Sequence, residues 1–424
     1  MRVSVLAIVA AALVAAGGSV QRAATANASA SDDVRYLMNE VRRIHPDPFH
    51  ATPEPAFQSA ADALAARAES LSPDQLLVEL MRFTNLLGER DGHSGIFPLD
   101  SANKRVLHLF PLYLYKFSDG LFVVSAPGRR ALVGSQLLAI DGIPADELER
   151  QVRPLVPRDN EATRTDRFMS FMLTAEVLHG LGLRTGTGPA RFSLRKPGAA
   201  AQEVILAPVT ASAYLRLMTP EFPSFVYALP KRPQPLYLRR RGEDHYVTTV
   251  DHGRAVFVGY NMTLGSTGSD ARKLARLVKS RKVRRVVVDV RLNPGGDHHT
   301  YAPLLKVLRS KGVNRPGRRL VVLISRSTFS AAANLITELD RKTKAVFVGE
   351  TSGGAPNLYG DVAAVDLPSA GLRVDVAAIY WQMSFATDPR NAIEPEVPIA
   401  LGSTAFFRGK DPVLAAALRY RAGR

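Results

Sequence analysis

No cysteine occurs anywhere in the 424 residues. That excludes a cysteine nucleophile, a thiolate metal site and any disulfide, so the fold has to rest on its apolar core. Acidic residues are scarce relative to basic ones, 39 against 55, for a net charge of +16. The basic residues cluster at 231–241 and 279–285, without a recognisable nucleic-acid-binding motif beside them. A solvated basic face is therefore the expected reading, and no nucleic-acid partner is expected. Beyond the first thirty residues no apolar run reaches the length of a membrane span. Internal repeats and low-complexity tracts are also lacking.

The first thirty residues are different. Arg2 precedes an apolar run over 3–16, and Ala24-Thr25-Ala26 and Ala28-Ser29-Ala30 follow as small-residue cleavage sequences. Residues 1–30 therefore read as a secretory signal peptide, too short for a stable membrane helix, with an uncut anchor as the alternative. No cysteine stands before the cleavage sequences, which argues against a lipid-anchored lipoprotein. The expected location after cleavage is secreted or periplasmic, within the cell envelope.

The rest of the chain is organised around 320–357. Leu320 to Ile324 is a short apolar run that reads as a buried strand. Small polar residues follow to Ser330, and from Ala331 apolar positions 332, 335, 336 and 339 have helical spacing. Ser330 thus stands where a strand gives way to a helix. A helix N-terminus has unpaired N–H groups and partial positive charge. Ser327, Thr328 and Ser330 can serve simply as helix caps there. Alternatively Ser330 is a nucleophile, with the N–H of Ala331 aimed at an oxyanion.

Ahead of this unit, 34, 37, 38, 41 and 44 form a helical stripe closed by His45-Pro46, and 57–70 and 73–87 read as two further helices. Residues 107–157 are expected to be mostly strand, with a hairpin near Asp119-Gly120 and then a strand, an Asp-Gly turn and a short helix. Residues 161–183 are expected to be helical, and 190–195 and 203–209 to be strands. Residues 220–241, rich in Pro and Arg, read as a surface excursion. From Gly242 onward strands and helices alternate, as a parallel sheet requires.

Asn293-Pro294-Gly295-Gly296 ends a buried strand, and its glycines let backbone N–H groups approach a ligand closely. His93, in the Gly-flanked turn Asp91-Gly92-His93-Ser94, is the candidate base. His298 and His299 are adjacent, are expected to face apart, and read as solvated; His45 and His50 read as structural.

Several segments together resemble the C-terminal processing (tail-specific) serine peptidases, with the tricorn protease core and the interphotoreceptor retinoid-binding repeats as relatives. These are HPDPFH at 45–50, RDGHSGI at 90–96, ALVGSQLLAIDGIPADEL at 131–148, VVVDVRLNPGG at 286–296, STFSAAAN at 327–334, VGETSGGAPN at 348–357 and IEPEVPI at 393–399. The resemblance implies an α/β fold: a crotonase-like core of ββα units over 161–424, an N-terminal helical segment over 31–98 and a PDZ-like module over 104–160.

It also implies a serine-type peptidase acting on peptides or proteins, with Ser330 as nucleophile and an oxyanion hole from Ala331 with Gly295 or Gly296. The loop after Gly349-Glu350 carries no lysine, and Lys342 and Lys344 do not match, so a Ser–Lys dyad is not expected. His93 matches the base of the tricorn-like branch, although Gly92 replaces the serine expected before it. The supporting acid is expected among Asp388, Glu394 and Glu396, with Glu394 as the site residue, and Ser94 or Asp91 as possible helpers. No metal or organic cofactor is implied. A non-catalytic member binding peptides or hydrophobic ligands is the alternative, and a crotonase-type acyl-CoA enzyme a third reading that a secretory signal disfavours.

Overall fold

The structure is a computed structural model that describes residues 28–225, 234–314 and 319–420. Most of the expected signal peptide, residues 1–27, lies outside the described residues. The first helix, Ala30–Ile44, is capped by Ser29, whose side chain accepts from the Asp32 N–H while Asp32 reaches back to the Ser29 N–H. Its stripe Val34, Leu37, Met38 and Val41 is buried, as its spacing requires. The helices Glu54–Arg67 and Pro73–Thr84 complete the N-terminal layer.

These helices share one core with an antiparallel sheet. Its strands lie in the order Tyr113–Phe117, Gly120–Ser125, Gln136–Ile140, Ala190–Arg195, Ala201–Leu206. The sheet therefore continues past residue 160, where the 104–160 module was expected to end. After an excursion through the helices Glu161–Met172 and Ala175–Gly180, Ala190–Arg195 pairs with Gln136–Ile140, with a register shift between Leu137 and Ala139, and Ala201–Leu206 pairs with Ala190–Arg195. The excursion read at 220–241 also starts later. The helix Ala211–Phe225 runs through its beginning, because Ala211, Tyr214 and Met218 recur at helical spacing and pack on Leu109.

The second half holds a six-stranded sheet in the order Val397–Pro398, Val346–Gly349, Arg319–Ile324, Arg285–Asp289, Ala255–Tyr260, His245–Val250, all parallel except the last. Its central strands bury both faces with period two. Val286, Val288, Leu320, Val322 and Ile324 face one apolar layer, built with the helix residues Leu274, Leu304 and Leu335. Val287, Val321 and Leu323 face the other, closed by the helix Pro412–Arg419.

Three adjacent parallel strands leave this sheet at the same edge. Arg285–Asp289 gives the turn Asn293–Gly296, Arg319–Ile324 gives 325–330, and Val346–Gly349 gives 350–356. Parallel sheets place their functional loops at this C-terminal edge. A long hairpin, Asn357–Leu367 with Leu372–Gln382, ties the two halves together, and its Val365, Leu367, Val374 and Val376 belong to the N-terminal core. No helix among the described residues is long and apolar enough to cross a membrane.

Candidate active site

Ser330 occupies the N-cap position of the helix Ala331–Lys342, yet its side chain makes no cap hydrogen bond. The backbone explains why. Ser330 has φ 53° and ψ −126°, a left-handed conformation costly for a residue with a Cβ, of order 1–3 kcal/mol. The bend is held by its neighbours: Thr328 Oγ1 donates to the Val290 carbonyl at 2.9 Å, and the Phe329 N–H donates to the Asn293 carbonyl at 3.1 Å. The hydroxyl is thereby turned away from the helix it precedes. It lies 3.0 Å from Nε2 of His93, across 237 positions of sequence.

The loop carrying His93 is stitched down along its length. The Arg90 N–H donates to the Asp159 carbonyl and the Tyr359 N–H to the Arg90 carbonyl. Gly95 exchanges two backbone bonds with Asp375, at 2.8 and 3.0 Å. Ser94 Oγ accepts from the Ala377 N–H at 2.8 Å. Beneath the loop His45 Nδ1 accepts from the Asp47 N–H at 3.1 Å, so its Nε2 is the protonated nitrogen that donates to Asp91 at 3.0 Å. HPDPFH is thus a brace for Asp91.

The His93 ring stacks on Phe329, with centroids 4.5 Å apart, and Arg167 lies 4.3 Å above the same phenyl ring. Burial lowers the His93 pKa to about 4, helped by the Arg167 cation and opposed by Asp91 and the Tyr359 carbonyl. His93 is therefore neutral at ordinary pH, and Nε2 can accept the Ser330 proton.

Behind His93 the expected acid is not found. Nδ1 is buried and meets no carboxylate among the described residues; the Tyr359 carbonyl is the acceptor on its side, too loosely placed for a hydrogen bond of ordinary geometry yet raising the ring's pKa as a backbone acceptor does. Glu394 accepts instead from the Thr351 hydroxyl, Glu396 from the Phe347 N–H at 2.6 Å, and Asp388 is paired with Arg390 at 2.8 Å. The segment 388–396 is tied to the 340s by Arg390 with Asp340 and Glu396 with Phe347, and each of the three carboxylates is engaged by a partner other than the imidazole. Asp91, the other expected helper, faces His45 and the Ser94 N–H.

The oxyanion loop departs from expectation in one respect. The N–H of Gly295 donates to Asn293 Oδ1 at 2.9 Å, so it is not available to a substrate. Among the described residues, the N–H groups of Gly296 and Ala331 donate to no partner. Gly295 is needed for space: a Cβ there would stand 2.6 Å from Ser330 Cβ, and its φ of +112° strains any other residue. Gly295→Ala is expected to reduce turnover by at least about 100-fold with a folded far-UV spectrum, since only the seating of Ser330 is displaced. Asn293 itself is a strut, donating to the Tyr260 carbonyl at 3.0 Å and accepting from Thr263 at 3.2 Å.

Two residues that no sequence pattern singled out hold the site together. Asp159 is fully buried and accepts from the Gly92 N–H at 2.7 Å and the Ala355 N–H at 3.1 Å. It therefore joins the loop of His93 to the glycine loop packed on Ser330. Burial pushes its pKa up to about 7, against the two N–H donors and Arg167. Arg167 donates to the Gly92 carbonyl. Asp159→Ala strands both N–H groups and is expected to cost about 2–4 kcal/mol in urea unfolding. kcat should fall more than KM changes, because His93 loses its seat rather than its contact with substrate. Asp159→Asn, with one acceptor oxygen left, should retain part of both.

The sequence matches no protein-family model and no curated protein. Solved structures do match over nearly the whole chain. The structure of a serine-to-alanine mutant of CPAF superposes with TM-score 0.63 at 13% identity, covering 93% of this chain and 98% of that one. The chain has the CPAF fold. Mature CPAF gives TM-score 0.60 at 14% identity, covering 92% and 96%, and its complex with lactacystin gives 0.58 at 14%, covering 90% and 95%. The likeness to CPAF extends over both sheets, so the edge that presents Ser330 belongs to a shared architecture.

Proposed function

We propose that the protein is a serine peptidase of the tail-specific type, acting on peptide or protein substrates through an acyl-enzyme. The observation that carries this reading is the 3.0 Å approach of His93 Nε2 to a Ser330 hydroxyl denied to its own helix. The resemblance of the motifs and the CPAF fold support it.

In the first step His93 Nε2 takes the proton from Ser330 Oγ as the oxygen bonds to the scissile carbonyl carbon. The carbonyl oxygen becomes an oxyanion, which accepts hydrogen bonds from the Ala331 and Gly296 N–H groups. The imidazolium returns its proton to the departing amine as the C–N bond breaks. Water then adds to the acyl carbon, again deprotonated by His93, and Ser330 is released with its proton. The imidazolium is opposed by Arg167 and burial and supported by Asp91 and the Tyr359 carbonyl, so the base is weak but stays in its working, neutral form at pH values above about 4.

The 1–30 segment supports export to the envelope or beyond. The second-half sheet is read as a crotonase-like core, and the sheet of the first half as PDZ-like, able to hold an extended peptide by strand addition. A binding protein without turnover is the second reading, favoured by the missing carboxylate behind His93 Nδ1. Incubation with a mixed peptide library, followed by mass spectrometry of new termini, separates them. Cleavage is expected; a protein that retains peptides without producing new termini is a binder.

A further inference from the structure

The residues that follow the oxyanion loop are Asp297, His298 and His299, and nothing in the proposed hydrolysis uses them. Sequence spacing predicts that the two histidines face apart. They do not. The segment His298–Tyr301 is a single turn of 3-10 helix, entered from extended backbone at Asp297, so side-chain rotamers and not helical periodicity set the ring directions. The two imidazole centroids lie 3.9 Å apart with planes inclined by 42°. His298 also packs in a T-shaped arrangement with Trp381, ring centroids 4.3 Å apart, whose Nε1 donates to Asp361 at 3.0 Å.

One carboxylate oxygen of Asp297 and one ring nitrogen from each histidine consequently lie within 4.8 Å of one another. Asp297 is itself anchored: its N–H donates to the Thr263 carbonyl at 2.7 Å. Oδ1 accepts from the His299 N–H at 2.9 Å, which leaves the second oxygen free to ligate.

We propose that Asp297, His298 and His299 form a binding site for a divalent transition metal of borderline softness, Zn²⁺ being the representative ion. Two imidazole nitrogens and one carboxylate oxygen suit that class, and no thiolate is present to favour softer ions. Tetrahedral Zn²⁺ with bonds of about 2.0–2.1 Å holds its donors roughly 3.4 Å apart, a contraction that side-chain rotation can supply at a turn. The His299 side faces solvent, so water completes the coordination. The site adjoins Gly296, so an ion there would restrain the oxyanion loop, but binding does not depend on the peptidase reading.

Isothermal titration of ZnCl₂ into the metal-stripped full chain tests this without any activity assay. One ion per chain is expected, with a Kd of roughly micromolar order. His298→Ala and His299→Ala should each weaken binding at least tenfold, and the double variant should abolish it. Absence of binding by the wild type, or unchanged binding by a folded double variant, overturns the proposal. If the double variant does not fold, imidazole NMR resonances of the wild type decide: Zn²⁺-induced shifts centred on His298 and His299 support the site, and shifts centred on other histidines refute it.

Discussion

Ser330→Ala is expected to lower peptide turnover by at least about 1,000-fold while leaving the melting temperature unchanged or slightly raised. The loss follows from chemistry: without Oγ there is no atom to bond to the carbonyl carbon, and the N–H groups of Ala331 and Gly296 can only polarise it. The stability result follows from conformation. The hydroxyl makes no cap bond, so its removal strands no helix N–H, and among the described residues the side-chain partner it leaves is a neutral His93. A serine acting as a cap would behave in the opposite way, losing about 1 kcal/mol of stability with little effect on turnover. Measuring kcat/KM and the thermal midpoint on the same preparation distinguishes the two roles.

His93→Gln is the second large effect. Glutamine can still sit against Phe329 but cannot take a proton, so kcat is expected to fall by about 10²–10⁴-fold. The pH profile of the wild type carries more information. Protonation removes the base, and with a pKa lowered to about 4 the neutral imidazole persists well below pH 6. The acidic limb of kcat/KM assigned to His93 should therefore fall near pH 4, not near the 6.5 of an unperturbed histidine. Arg167→Met removes a cation that contributes to the depression, so the limb should move upward in that variant. An acidic limb that is unaltered in His93→Gln would mean that another group is the base.

The readable parts of the sequence were those whose cause is local. Leu320–Ile324 and the helix after Ser330 follow from period and length alone, and so does the stripe at 34, 37, 38 and 41. The pairing of Ser330 with His93 was accessible only through the order of several short motifs, because its geometry depends on contacts 237 positions apart. What escaped was set by side chains bonding to backbone at long range. Asp159 precedes a helix and looks like part of its cap, but its carboxylate reaches Gly92 and Ala355, 67 and 196 positions away.

Glu394 was expected to support His93, yet its carboxylate goes to Thr351, a partner that only the folding of 388–396 could reveal. Gly295 and Gly296 were interchangeable as donors on paper. The side chain of Asn293, two residues earlier, takes the N–H of the first and leaves the second. Helical periodicity sets adjacent histidines apart, but the single 3-10 turn at His298 and His299 does not obey it.

Turnover depends on Ser330 Oγ being made nucleophilic by a neutral His93, and covalent labelling addresses that link directly. A serine-directed fluorophosphonate incubated with the wild type at pH 7, followed by peptide mapping, is predicted to give one adduct, on Ser330, with labelling strongly slowed in His93→Gln. An unlabelled Ser330, or a rate of labelling indifferent to His93, would contradict it.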